Sequence, residues 1–176
     1  HAMLATATHD HKRGEDTRMR LAVISEIPDE FQAALARWMR LNAGLTRDLD
    51  SGRAPSEADE IMLYQTLIAA WPLGVTAEHG GDFHGRVWGW WEKSIREAKL
   101  RSEWAAPDEA YEDACRLFLD GVFDPARATA TLGEIAAFAN RIGPAGALNG
   151  LAQVTLKYTV PGVPDLYQGA EFWDQS

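Results

Sequence analysis

Residues 6–16, TATHDHKRGED, place His9, Asp10 and His11 in a row, followed by Lys12, Arg13, Gly14, Glu15 and Asp16. Imidazole and carboxylate side chains in such density raise two chemistries, metal ligation and polar-ligand capture. Metal ligation is the weaker reading. Three consecutive residues rarely turn three ligands onto one ion without a local turn, and no distant Cys or His stands at ligand-motif spacing. His79 and His84 flank Gly80-Gly81, where loop or surface roles account for them. The sequence therefore calls for no metal and no cofactor. The single cysteine, Cys115, falls among apolar positions of an expected helix and reads as a small core residue.

Aromatic rings form the second inventory. Seven tryptophans, Trp38, Trp71, Trp88, Trp90, Trp91, Trp104 and Trp173, are many for 176 residues. Sugars are often bound by stacking on such rings, but helical periodicity assigns several of these to core filling. Packing is also the favoured reading of the WGWW cluster at 88–91. A net charge of -9 lacks the clustered basic excess of a phosphate-backbone binder, so nucleic acid is not expected as a partner. No apolar run reaches membrane-spanning length and no basic-then-apolar leader is present, which predicts no membrane association and a cytoplasmic address. The chain is long enough for one domain with a core.

The elements that must position these residues read mainly as helices. Glu15 and Asp16 suit a first helical turn, with Leu21 and Ile24 continuing one apolar face. Pro28 breaks that run, and Asp29 with Gln32 has capping-box spacing for a second helix whose stripe is Phe31, Leu35 and Trp38. LTRDLDSGRAP is expected as a polar turn segment. Ser56 caps a third helix marked by Ile61, Tyr64, Ile68 and Trp71. A Gly80-Gly81 hinge leads to Asp82 as cap of a long helix with face Phe83, Val87, Trp91 and Ile95. Pro107 and Asp108 open another, with Tyr111, Cys115 and Phe118 inward. Leu132, Ile135, Ala139 and Ile142 mark the next, and GPAGALNGLAQVTLKYT predicts one more. Only MLATAT, before His9, and VPDLYQG, after Pro161-Gly162, read as strands. Two strands at opposite ends of the chain make no stable sheet alone.

The segments ATATHDHKRGEDTRMRLAVISEIPDEF, LYQTLIAAWP, IREAKLRSEWAAPDEAYEDAC and LNGLAQVTLKYTVPGVPDLYQGAEFWD together resemble the maltooligosyltrehalose synthases, members of the α-amylase superfamily whose enzymes work in a (β/α)8 barrel. THD resembles the end of the seventh barrel strand, and PGVPDLYQGAE the eighth strand and its following loop. The resemblance implies a mainly α fold: a helical insertion flanked by two short β-strands of a truncated barrel. It divides the chain into 1–13, barrel strand seven and catalytic loop; 14–143, helical insertion; and 144–176, the last barrel helix near 147–158, strand eight and the loop beyond. It implies an excised piece of a longer enzyme.

The implied reaction is intramolecular transglucosylation. The reducing-end α-1,4 linkage of a maltooligosaccharide becomes α,α-1,1, with configuration retained. The resemblance assigns Asp10 the role of the third carboxylate, a transition-state stabiliser holding the sugar's 2- and 3-hydroxyls. An ionised carboxylate only accepts hydrogen bonds, which suits that task. His9 would donate to the same ring. Lys12 and Arg13 match the family pattern and would reach substrate or pin the loop. Tyr167, Gln168 and Glu171 are drawn toward the active-site rim, whereas His11 reads as tolerated variation where the family tends to have Thr. The nucleophile and acid/base would lie on strands preceding residue 1, so the isolated chain is predicted inactive. The Trp-rich insertion is expected to help exclude water. Open strand edges predict self-association of the piece. A different class of function, a non-catalytic helical module that binds a partner, stands as the alternative; it predicts polar, flexible residues at the chain's edges.

Overall fold

The computed structural model describes residues 2–9, 11–72, 81–127 and 131–174. Among them, six α-helices carry the architecture: α1 (Glu15–Ala22), α2 (Pro28–Asn42), α3 (Glu57–Ala70), α4 (Gly81–Ala98), α5 (Glu109–Phe123) and α6 (Thr131–Thr159). Four short strands form two pairs. β1 (Met3–Leu4) lies parallel to β4 (Val163–Pro164), and β2 (Arg47–Leu49) antiparallel to β3 (Gly52–Ala54). The fold is mainly α, as expected.

α3 is the central helix. Ser56 caps it by accepting from the Asp59 backbone N–H at 3.2 Å. Leu63, Tyr64, Leu67 and Ile68 are all fully buried, a coverage wider than one apolar stripe, because α1, α2, α4 and α6 all contact this helix. Its buried polar groups are satisfied between elements. Tyr64 donates to Glu60 at 2.8 Å and accepts from Asn42 Nδ2 at 2.7 Å, while Thr131 donates to Asn42 at 3.1 Å. Arg53 of β3 pairs with the same Glu60. α4 buries Phe83, Val87, Trp91 and Ile95, and α5 buries Tyr111, Cys115 and Phe118, the two expected faces. Asp108 caps α5 by accepting from Tyr111 N at 3.0 Å. Burial pushes the Cys115 thiol up to about 12, so it is an inert core group.

α1 lies close against α6. A Cβ on Gly146 would stand 2.8 Å from Arg20 Cα, so the helices approach at this distance only because the position is glycine. Arg20 is buried and donates to the carbonyls of Ile68, at 3.3 Å, and Trp71, at 2.6 Å, satisfying the C-terminal end of α3.

Five expectations are corrected. The polar turn segment at 45–55 contains the β2–β3 hairpin, made possible by Gly52 at φ 111° and held at its end by Arg101 donating to Ser51 O at 2.7 Å. α2 starts on Pro28 as its first turn, with no side-chain cap, because proline's fixed φ already suits that position; Asp29 is inside the helix. The two helices expected over 132–158 are one 29-residue helix that runs through Pro144. Proline removes one internal N–H bond, and packing on both sides of it holds the helix together. The strands are two residues each rather than the longer stretches MLATAT and VPDLYQG, since among the described residues each finds only the other as a neighbour. Of the expected Gly80-Gly81 hinge, Gly80 lies outside the described residues and Gly81 is already the first residue of α4, so Asp82 is inside that helix rather than its cap.

Candidate active site

β1 delivers the chain to His9. Val163 N donates to Ala2 O at 2.9 Å and Asp165 N to Leu4 O at 3.2 Å, tying the two strands together. Below the exit of β1, the Lys157 ammonium is almost fully buried. It donates to Thr6 Oγ1 at 3.0 Å and lies 3.5 Å from the Glu15 carboxylate. Thr6 also bonds Glu15 through its hydroxyl, and Arg18 donates to the Thr6 carbonyl. The segment before His9 is thus fastened to α1 and α6 at once. Sequence reasoning missed Lys157; its signal was a lone cation within the apolar run VTLKYTV.

His9 is exposed in a turn, and Asp10 lies outside the described residues. The turn closes with His11 N donating to Thr8 O at 3.3 Å. It aims the His11 ring edge-on at Tyr167, centroids 6.1 Å apart, with Nε2 3.8 Å from the Asp174 carboxylate. His11 therefore joins the loop after β1 to the loop after β4. Lys12 pairs with Glu97 of α4 at 3.2 Å. Arg13 donates to Thr66 of α3 at 3.0 Å and stacks on Trp90 of α4, 4.9 Å from the ring centroid. Its Nε is buried with no partner among the described residues, and desolvation lowers its pKa. Trp90 also donates from Nε1 to the Lys12 carbonyl at 2.9 Å. A cavity of about 210 Å³ opens beside these groups, lined by Arg13, Thr66, Phe83 and Trp90 among others.

On the other side, Tyr167 accepts at its carbonyl from Ala170 N at 3.0 Å, and Gly169 at φ 88° makes the turn. Gln168 and Glu171 are exposed, as are Phe172 and Trp173. The chain then returns to the start of α1. Asp174 O accepts from Asp16 N at 3.2 Å and Thr17 N at 3.4 Å, while Asp174 N donates to Asp16 Oδ2 at 2.7 Å. Those N–H groups would otherwise be orphaned at a helix start. Gly14 lets the Asp174 carboxyl come close here, since a Cβ would stand 2.5 Å from it and push that side chain aside. Burial raises the Asp16 pKa, outweighing the Asp174 N–H bond that lowers it, and the nearby Asp174 charge adds to the rise.

His79 lies outside the described residues. His84 Nε2 meets Asp120 at 2.8 Å, linking α4 to α5 at the surface. Among the described residues no group of three or more His, Cys, Asp or Glu side chains is placed to hold a metal. Trp38, Trp71 and Trp91 are buried in the core and offer no face to a ligand. Trp88 lies edge-on to Trp91. No helix among the described residues is long and apolar enough to cross a membrane.

The class defined so far is a mainly helical unit whose two end segments are brought together around a loop carrying His9. No family model matches the chain. It is 34% identical over 175 residues to proteins of two Mycobacterium tuberculosis strains, CDC 1551 / Oshkosh and ATCC 25618 / H37Rv, each named "Putative maltooligosyl trehalose synthase". The match covers 99% of this chain but 21% of theirs, so the chain spans about a fifth of the length of these curated relatives. A crystal structure of a maltooligosyl trehalose synthase superposes with a TM-score of 0.83 at 29% identity, over 97% of this chain and 22% of that one. The maltooligosyltrehalose synthase of Arthrobacter ramosus gives 0.73 at 29% identity, over 99% of this chain and 20% of that one. The chain is thus similar, over nearly its whole length, to a helical portion of proteins named maltooligosyl trehalose synthase.

Proposed function

We propose that the chain forms part of a longer enzyme that converts the reducing-end α-1,4 linkage of maltooligosaccharides to α,α-1,1 by a retaining intramolecular transfer, a step of trehalose formation. The parallel pairing of β1 with β4 carries this reading. Parallel strands need a long crossover and burial on both faces, and a two-residue pair does not stand alone. β1 and β4 then act as adjacent strands of a larger parallel barrel, with α6 from about residue 144 as the helix between them and 14–143 as the insertion. Barrel enzymes place reacting groups where strands end, and the loop with His9 and Asp10 follows β1.

In this reading Asp10 accepts from two sugar hydroxyls and stabilises the oxocarbenium-like transition state, and His9 donates to the same ring. Lys12 and Arg13 pin the loop, a role supported by their contacts to Glu97, Thr66 and Trp90. Tyr167 contributes to the rim through its approach to His11, with Gln168 and Glu171 exposed beside it. The nucleophile and acid/base belong to the remaining four-fifths of the enzyme, which acts in the cytoplasm. The 176-residue chain alone is inactive.

The experiment is an assay of trehalose-ended oligosaccharide formation from maltooligosaccharides. In the full-length polypeptide carrying this segment, Asp10→Asn is expected to lower the rate by about a hundred- to a thousand-fold. The isolated chain is expected to give no product. Unchanged turnover in Asp10→Asn removes the assigned role, and product from the isolated chain removes the claim that it is inactive.

A further inference from the structure

We infer that Trp90 is a positioning residue for the loop that carries His9 and Asp10, so that the helical insertion sets the stance of the sugar-holding groups; this rests on the transfer reading given above. Three contacts converge on two consecutive loop residues from one face of the insertion. Trp90 Nε1 donates to the Lys12 carbonyl at 2.9 Å, the Arg13 guanidinium lies 4.9 Å over the same indole, and Lys12 reaches Glu97, seven residues further along α4, at 3.2 Å. Arg13 in turn is tied to the central helix through Thr66 at 3.0 Å.

The contacts hold different parts of the loop. The indole N–H fixes the backbone, the ring face fixes a cation, and Glu97 fixes a second cation two turns further along the same helix. Trp90 itself is anchored because α4 is held in the core by the buried Phe83, Val87, Trp91 and Ile95, against which the indole packs at their edge. Displacement of the Lys12 carbonyl moves the chain two residues from Asp10. A shift of an ångström at a reacting group is enough to cost about a hundred-fold in rate. The ring contact also accounts for a half-buried tryptophan at the edge of the core whose outer face is covered by Arg13.

The test compares Trp90→Phe, which keeps a ring under Arg13 but loses the N–H, with the unaltered full-length polypeptide. Two readouts are taken: amide hydrogen exchange over residues 9–14, and kcat and KM for trehalose-ended product. Exchange over 9–14 is expected to quicken by about five- to ten-fold while the rest of α4 and α5 is unchanged. kcat is expected to fall by about ten-fold or more with KM within about two-fold, because a misplaced loop weakens transition-state contacts rather than uniform binding. Trp90→His, which retains a ring with an N–H, should recover part of both.

Unchanged exchange in Trp90→Phe overturns the inference whatever the activity. Faster exchange with unchanged kcat overturns the positioning role and leaves the transfer reading intact. Absence of product from the unaltered polypeptide overturns the transfer reading and with it any effect of Trp90 on the sugar-holding groups, and exchange then still decides whether Trp90 holds the loop. Should Trp90→Phe lack a cooperative melt, Glu97→Gln replaces it, and no quickening over 9–14 in that variant overturns the inference.

Discussion

Glu112 shows how single charges are held in this fold. It is buried, takes a bidentate pair from Arg96 at 2.8 and 2.7 Å, and accepts from Ser102 as well. The Arg96 hydrogen bonds hold its carboxyl below the usual glutamate range, outweighing desolvation. A depressed folded pKa gives stability that is present above the ordinary glutamate pKa and is lost as pH falls through the folded value. Glu112→Gln is therefore expected to lower Tm by about 5 °C or more at pH 7, and the gap should narrow toward pH 3. Thermal melts across that range check it; a gap independent of pH contradicts the assignment. At this scale legibility depended on whether a residue's partners were local. His9 and Asp10 stand in a contiguous motif, so the sequence alone is enough to single them out as candidates. Lys157 and Trp90 were not, because Thr6 and Lys12, their partners, lie 151 and 78 residues away in sequence. His11 was read as mere variation, and its contacts to Tyr167 and Asp174 depend on a loop at the other end of the chain.

Among the helices, the tightest constraint is the α1–α6 crossing at Gly146. Nothing in GPAGALNG distinguishes this glycine from Gly143 or Gly150 as a sequence. In the structure, a methyl group on Gly146 would meet the backbone of Arg20, at 2.8 Å from Cα and 3.2 Å from N. Backbone cannot move aside as a side chain does, so Gly146→Ala is expected to destabilise the chain by about 1–3 kcal/mol despite alanine's better helix propensity. Gly85 and Gly89 in α4 have open space at the Cβ position, and Gly89→Ala should be neutral or stabilising in the same denaturation series. Caps at Ser56 and Asp108, and the buried faces of α4 and α5, were legible because they follow from side chains a few residues apart. The continuity of α6 through Pro144 was not, since a proline ordinarily ends a helix and only its tertiary packing keeps this one whole.

For the molecule as a whole, exposed large apolar residues concentrate in and around β1, β4 and the second half of α6: Met3, Leu148, Leu151, Leu156, Val163 and Phe172 among them. A groove of about 770 Å³ runs between β1, α1 and α6. With the outer edges of β1 and β4 also open, the isolated chain is expected to self-associate. Sedimentation over a dilution series checks this, and a monodisperse monomer throughout contradicts it. The sequence by itself determined the helical class, the helix starts at Ser56 and Asp108, the apolar faces of α4 and α5 and the motifs that carry the family resemblance, all set by backbone propensity and periodicity over a few residues. Only the tertiary structure decided that the two ends pair in parallel, that α3 is central, and that the loop after β1 is gripped by Trp90. Those outcomes depend on which distant surfaces bury one another, a quantity that local propensity does not contain.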